Sequence, residues 1–328
     1  MMFTPSYVAL YESGELESRV NQLNARLLSC DICPRSCGVN RFENSGGFCR
    51  SGRLAAVSSY CDHHGEEPAL SGTRGSGTIF FSRCNLRCIY CQNHQISQGN
   101  DSSAQEMDSH QLSWIMLHLQ NDLECHNINL VSPSHFVPQI VEAVHEAVRG
   151  GLCIPLVYNT NAYDSVSALK MLDGVIDIYL PDIKYSSDKW ARRFSRSKGY
   201  VTASRSAIME MYRQVGNLVT DESGVAQRGL IVRHLILPND MSGSIQSLGW
   251  LADNISRDVT VSIMSQYYPC HNASQEPLLA RKITSEEYHA VVTCVEKMGL
   301  ENGWLQQMDA AENYLPDFRR EGHPFSVI

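Results

Sequence analysis

From about residue 73 to residue 300, short apolar runs alternate with stretches of helical periodicity. Segments 78–82, 127–131, 154–158, 175–180, 230–237 and 259–264 are short and rich in Ile, Leu and Val, as strands covered on both faces require. Each precedes a segment whose apolar positions recur three and four residues apart. Pro138 suits the first turn of a helix carrying Ile140, Val141, Val144 and Val148, and Gly150 suits its end. Thr284 with Glu287 forms a capping box for a helix through Val291 and Val295. Six such strand–helix units predict an α/β fold with a parallel sheet. A partial (β/α)6 TIM-type barrel fits them, although periodicity alone does not separate it from a doubly wound sheet.

Residues 1–72 read differently. They are rich in Cys, Gly, Ser and charge, and sustained periodicity is confined to a helix around Leu16, Val20, Leu23 and Leu27. The chain therefore divides into an N-terminal Cys-rich lobe (1–72), a barrel (73–300) and a C-terminal tail (301–328). The tail contains Asn313, Tyr314, Leu315, Pro316, Asp317, Phe318, Arg319 and Arg320, and its covering the barrel or docking a partner are both open.

Composition narrows the function classes. The 328 residues are 43% hydrophobic and 19% charged with a net charge of -8, which argues against a general nucleic-acid or anionic-membrane surface. No apolar run reaches 18 residues, and the first residues lack the basic start and apolar core of a secretory signal. The expected compartment is the cytoplasm, where twelve grouped cysteines read as metal or cluster ligands and not as disulfides.

Cys84, Cys88 and Cys91 form a CxxxCxxC set in the loop after the first barrel strand. Independent draws from this composition give on the order of 0.02 such matches per chain, so chance explains it poorly. Three thiolates at this spacing grip three irons of a 4Fe-4S cluster and leave the fourth iron open for chelation. A zinc knuckle completed by a distant histidine is the bland alternative. Cys30, Cys33, Cys37 and Cys49 form a second group, CxxCxxxC followed by eleven residues and a fourth cysteine, which suits a closed zinc site, an auxiliary Fe-S cluster or unmetallated thiols.

Parallel barrels keep their chemistry at the C-terminal strand ends. Here those positions carry Ser132, Ser134 and His135, then Asn159, Thr160 and Asn161, then Asp182 and Lys184, then Arg233 and His234, and last Gln266 and Tyr267. Lys184 and Arg233 offer cations for a carboxylate, with Asp182 as counter-ion, or else fill the barrel as salt bridges. His63 and His64 read as solvated loop residues, and Cys125, Cys153 and Cys294 as small core residues. Met116, Met209 and Met211 also read as core. At Cys270 a thiol hydrogen donor is conceivable.

Cys84 to Cys91, with Tyr90 before the last cysteine and Asn93 after it, resembles the signature of radical S-adenosylmethionine (radical SAM) enzymes, and within them the pyruvate formate-lyase activating enzyme-like subgroup. Cys33-Pro34-Arg35-Ser36-Cys37, Gly65-Glu66-Glu67-Pro68 and Asp177-Ile178-Tyr179-Leu180-Pro181-Asp182 are similar to that subgroup as well. The resemblance implies the radical SAM partial barrel and S-adenosylmethionine held on the open iron. Reductive cleavage would then give methionine and a 5'-deoxyadenosyl radical. It implies cofactor contacts from Tyr90, Asn93, Ser132, Ser134, Thr160, Asn161, Asp182, Lys184, Arg233 and Tyr267, with backbone oxygens or a serine hydroxyl of the Ser132–Ser134 turn meeting the cofactor's amino group. Ser132 and Ser134 stand at the family's Gly-Gly-Glu turn, Ala162 at its glycine, Asn159 at a cation-binding aspartate and Tyr267 at a histidine. The implied partners are a glycyl-radical enzyme, whose glycine loses hydrogen under anaerobic conditions, and a flavodoxin- or ferredoxin-type electron donor. Radical chemistry on a small molecule or another peptide is the alternative, and a non-catalytic Zn or Fe-S scaffold is the alternative of another class.

Overall fold

The computed structural model describes residues 3–43, 46–99, 104–308, 315–320 and 323–325. Its strands, in chain order, are β1 (Ala55–His63), β2 (Ser76–Phe81), β3 (Gln105–Met107), β4 (Ile128–Val131), β5 (Leu156–Thr160), β6 (Ile178–Pro181), β7 (Val219–Thr220), β8 (Ala226–Leu235), β9 (Thr260–Met264) and β10 (Gly303–Leu305). They hydrogen-bond in the order β10-β9-β8-β6-β5-β4-β2-β1-β3, with β7 on β8. Every neighbour pair from β10 to β2 is parallel, whereas β1 and β3 extend that edge antiparallel. All six anticipated strands are present as consecutive members of this parallel set, an α/β sheet of partial-barrel type.

Register places the site. Phe80 pairs with Val131, Val131 with Asn159, Thr160 with Pro181, and Asp182 bridges to Arg233. The C-terminal ends of β2, β4, β5, β6 and β8 therefore line up along one rim. Helices cover the outer face for the expected reasons. Val137–Arg149 opens on Val137-Pro138 and ends at Gly150, and Ser285–Met298 carries the Thr284/Glu287 capping box.

The first residues are woven into the same body. Ser6–Glu12 and Glu15–Ala25 are helical, and Tyr7, Leu16, Leu23 and Leu27 are fully buried in the core that also holds Ile140, Val144 and Leu156. Burying each such leucine contributes about 1.5–3 kcal/mol relative to leaving it exposed. The Tyr7 hydroxyl donates to the Ile154 carbonyl at 2.7 Å. The described residues of the 1–72 segment thus share both core and sheet with the barrel.

Some core expectations need correction. Cys125, Met116 and Met211 are buried, but Cys153 and Met209 are exposed and Cys294 is half-buried. Met209 lies on the outward face of Tyr200–Val215, because helical periodicity marks a stripe without fixing its edges. No helix among the described residues is long and apolar enough to cross a membrane.

Candidate active site

The strand ends surround a cavity of about 450 Å³. Cys84, Cys88, Tyr90, Cys91 and Asn93 line it from the loop after β2, and Ser132, Asn159, Thr160 and Asn161 from the ends of β4 and β5. Asp182, Lys184, Arg233 and Tyr267 complete the wall from β6, β8 and the loop after β9. Residues up to 183 positions apart, from Cys84 to Tyr267, are thereby brought together.

Each cysteine sulfur already has a polar neighbour. Cys84 Sγ accepts from the Leu86 N–H and from Asn161 Nδ2, both at 3.4 Å. Cys88 Sγ accepts from Ser195 Oγ at 3.0 Å, and Cys91 Sγ lies 3.3 Å from Ser97 Oγ. The Cys88 contact ends a chain in which the Tyr90 hydroxyl donates to Tyr185 at 2.7 Å and Tyr185 lies 2.7 Å from Ser195. Burial pushes the Cys84 thiol up to about 11 and Cys91 to about 12, and raises Cys88 as well. Without a cation these groups stay protonated, and a bound metal would deprotonate them.

Fit to a cluster follows from this donor set. Among the described residues no three His, Cys, Asp or Glu side chains are arranged to hold one ion. Three cysteine thiols lining one open cavity, with Asn161 donating to Cys84, Ser195 donating to Cys88 and Ser97 beside Cys91, form a donor set that fits a 4Fe-4S cluster.

The charged wall differs from the expectation in detail. Lys184 Nζ pairs with Asp182 at 2.6 Å. Burial works to lower the Lys184 pKa, but Asp182 and the nearby Cys88 and Cys91 outweigh it and raise it. Arg233 is not free to wait for a carboxylate. Its guanidinium takes Glu67 bidentately at 2.7 Å, pairs also with Glu66, and reaches Asn159 Oδ1 at 3.4 Å. Burial opposes ionisation of Glu67, yet Arg233 holds it below the usual carboxylate range. Glu66 and Glu67 both line the cavity, and sequence reasoning gave them no role there. The Gly65–Pro68 stretch was the available signal.

Two expected contacts are corrected. Ser134 does not line the cavity. It is buried behind the rim, 3.0 Å from Thr160 Oγ1, because Ser132 turns the chain through φ 60° and sends Ser134 into the barrel wall beside Asp164. Tyr267 lines the cavity with its ring only, since its hydroxyl donates to the Leu279 carbonyl at 2.8 Å. Ala162, at the glycine-like position, adopts φ 60°, the left-handed conformation that glycine takes without steric cost.

Other candidates fall around the rim. His63 is buried, not solvated, and stacks on Phe325 at 4.2 Å, whereas His64 is exposed and lies 3.5 Å from Asp62. His135 is buried away from the cavity. Cys270 lies beside the site, its thiol 3.4 Å from the Tyr90 carbonyl. Pro316 and Phe325 line the cavity, Phe318 packs on Phe80, and the Phe318 N–H donates to Gln95. Asn313 and Tyr314 lie outside the described residues.

Comparison with known proteins gives no matching family model. The chain is 29% identical over 281 residues to the uncharacterized protein MJ0674 of Methanocaldococcus jannaschii, covering 83% of this chain and 76% of that one. Solved structures with some similarity include HydG, a maturase of the FeFe-hydrogenase (TM-score 0.45, 11% identity, 72% of this chain and 51% of that one). Methylornithine synthase (PylB) matches with a TM-score of 0.43 at 15% identity over 67% of this chain and 62% of that one. TYW1 with a lysine-pyruvate adduct matches with a TM-score of 0.41 at 9% identity over 71% and 78%. The chain thus spans about half the length of HydG and about six tenths of PylB.

Proposed function

We propose that this chain is a radical SAM enzyme whose cavity binds S-adenosylmethionine against a 4Fe-4S cluster on Cys84, Cys88 and Cys91. The observation that carries this reading is the placement of these three cysteines, each sulfur with a polar neighbour, at one wall of an open cavity on the C-terminal rim of a parallel sheet. When bound, the cluster supplies the electron that splits S-adenosylmethionine into methionine and a 5'-deoxyadenosyl radical.

The chain's own residues then divide the work. Asn161, Ser195 and Ser97 hold the cysteine sulfurs. Lys184, close enough to influence all three thiols, is the cation placed to meet the cofactor's carboxylate. Glu66 and Glu67 share one arginine, so their carboxylates have capacity left for the amino group, the contact first expected of Ser132 and Ser134. Asp182 restrains Lys184, and Tyr200 fixes this corner by bridging the Asn161 and Asp182 carbonyls, each at 2.9 Å.

Hydrogen abstraction from a glycine of a partner glycyl-radical enzyme is the finer reading, supported by the motif resemblance. A small-molecule substrate is the second reading, favoured by Pro316 and Phe325 of the C-terminal tail, which line the cavity. Electrons would come from a flavodoxin- or ferredoxin-type donor. The test is anaerobic reconstitution with iron and sulfide, addition of dithionite and S-adenosylmethionine, and chromatography for 5'-deoxyadenosine beside a Cys88→Ala control. Product that disappears in the control supports the reading. A protein that holds a reducible cluster and gives no product contradicts it.

A further inference from the structure

The second cysteine group lies in a setting of its own. Cys30, Cys33, Cys37 and Cys49 line one small hollow together with Arg35, Arg41, Ser51 and His135. Local turns bring the cysteines together. The Cys30 N–H donates to the Val39 carbonyl and the Gly38 N–H to the Cys30 carbonyl, both at 2.9 Å, and Ser36 turns at φ 42° to place its N–H on the Cys33 carbonyl at 3.0 Å.

The other lining residues are unusual. Arg35 Nη2, Arg41 Nη2, Ser51 Oγ and His135 Nδ1 are all buried and have no hydrogen-bond partner. Arg41, Ser51 and His135 are only 2%, 1% and 2% exposed. Leaving such a group unsatisfied is costly, and more so for a charged one, because desolvation is not offset by a new hydrogen bond. Four of them around one hollow signal a missing occupant. Arg41 gives its other hydrogen bonds to the Gly52 and His135 carbonyls, so its charge also calls for an anion. His135 spends its Nε2–H on the Ser82 carbonyl at 3.1 Å and presents Nδ1 as a lone pair, the anchoring that metal-binding imidazoles receive.

Size separates the candidate occupants. Tetrahedral zinc would draw four sulfurs to about 2.3 Å from one centre. Among the described residues no group of three or more cysteine, histidine or carboxylate side chains is arranged around one such centre. A cuboidal cluster holds its cysteines farther apart and offers bridging sulfides that accept hydrogen bonds from guanidinium and hydroxyl groups.

We propose that Cys30, Cys33, Cys37 and Cys49 ligate a second 4Fe-4S cluster, with Arg35, Arg41 and Ser51 donating to its sulfurs. Four thiolates leave it no open iron, so it does not chelate S-adenosylmethionine. It is docked on the catalytic loop. Arg35 Nε donates to the Asn85 carbonyl at 3.0 Å, Arg87 Nη2 donates to the Phe48 carbonyl at 2.9 Å, and the two guanidiniums lie 3.5 and 5.0 Å from the Phe48 ring. The proposal uses different cysteines from the reading above and stands or falls separately.

The experiment is iron, acid-labile sulfide and zinc analysis with Mössbauer spectroscopy on the anaerobically reconstituted full chain, beside the Cys84→Ala/Cys88→Ala/Cys91→Ala variant. The expected result is about eight irons per wild-type chain and about four in the variant, all in 4Fe-4S form. A variant with one zinc and no iron, or with no metal, overturns the proposal. If the variant fails to fold, the wild-type count decides, about eight irons supporting the proposal and about four overturning it. Ser51→Ala should retain the iron and lower the reduction potential of the signal that survives in the variant. An unchanged potential would remove Ser51 from the site.

Discussion

The two cysteine groups present one residue type in opposite settings, and the difference lies in what surrounds the sulfurs. Cys84, Cys88 and Cys91 stand at the wall of a 450 Å³ cavity, with hydroxyl and amide donors behind them and open space in front. Cys30, Cys33, Cys37 and Cys49 ring a hollow of about 10 Å³ with arginine, serine and histidine closing the gaps. An open cavity admits a substrate, and a hollow of this size excludes one. Ligand count and access, more than sulfur chemistry, separate a reactive centre from a resident one.

The contrast can be broken most severely at Cys88. Cys88→Ala should lower 5'-deoxyadenosine formation by at least about a hundredfold, since loss of a ligand exceeds the usual cost of losing its hydrogen-bonding support, while the N-terminal iron remains. Measuring product and iron in one preparation checks both halves.

The charged wall comes next. Glu67→Ala leaves Arg233 with Glu66 alone, and urea unfolding should show a loss of about 3 kcal/mol, the low end for a broken buried pair. A smaller effect is expected far from both centres. Burial raises the Asp177 carboxyl to about 7, opposed by hydrogen bonds such as that from the Leu156 N–H. A raised carboxyl pKa contributes stability that is fully present below about pH 4 and is lost as pH rises toward 7. Asp177→Asn should flatten that slope by about 3 kcal/mol in denaturation curves taken from pH 4 to 7, leaving the iron content unchanged.

Finer changes sharpen the comparison. Ser195→Ala removes the donor to Cys88 and should lower the potential of the S-adenosylmethionine-responsive cluster by roughly 20–60 mV, with iron content retained. Ser195→Thr should restore it. Tyr267→Phe should change cofactor affinity less than about twofold, because the lost hydrogen bond is to Leu279, outside the cavity wall.

Much of this architecture was legible because the barrel strands are covered on both faces and therefore apolar throughout. β1 was not legible. It carries Ser58, Ser59 and Asp62 on an antiparallel ribbon that is only partly buried, and β3 and β10 are three residues each. Within the site, the CxxxCxxC loop is local and could be read directly. The pairing of Arg233 with Glu66 and Glu67 spans 166 or more residues, and Ser195 reaches Cys88 across 107, so neither has a local signature. Ser134 was misplaced because sequence marks a turn without giving the direction in which it sends its side chains. Arg41, Ser51 and His135 around the second hollow become informative only when their unpaired atoms are seen together.

Electron paramagnetic resonance of the dithionite-reduced full chain, with and without S-adenosylmethionine, tests the difference between the two centres most directly. The account expects two signals, of which only the one lost in the Cys84→Ala/Cys88→Ala/Cys91→Ala variant changes when S-adenosylmethionine is added. A response confined to the signal that survives in that variant, or no response from either, would contradict it.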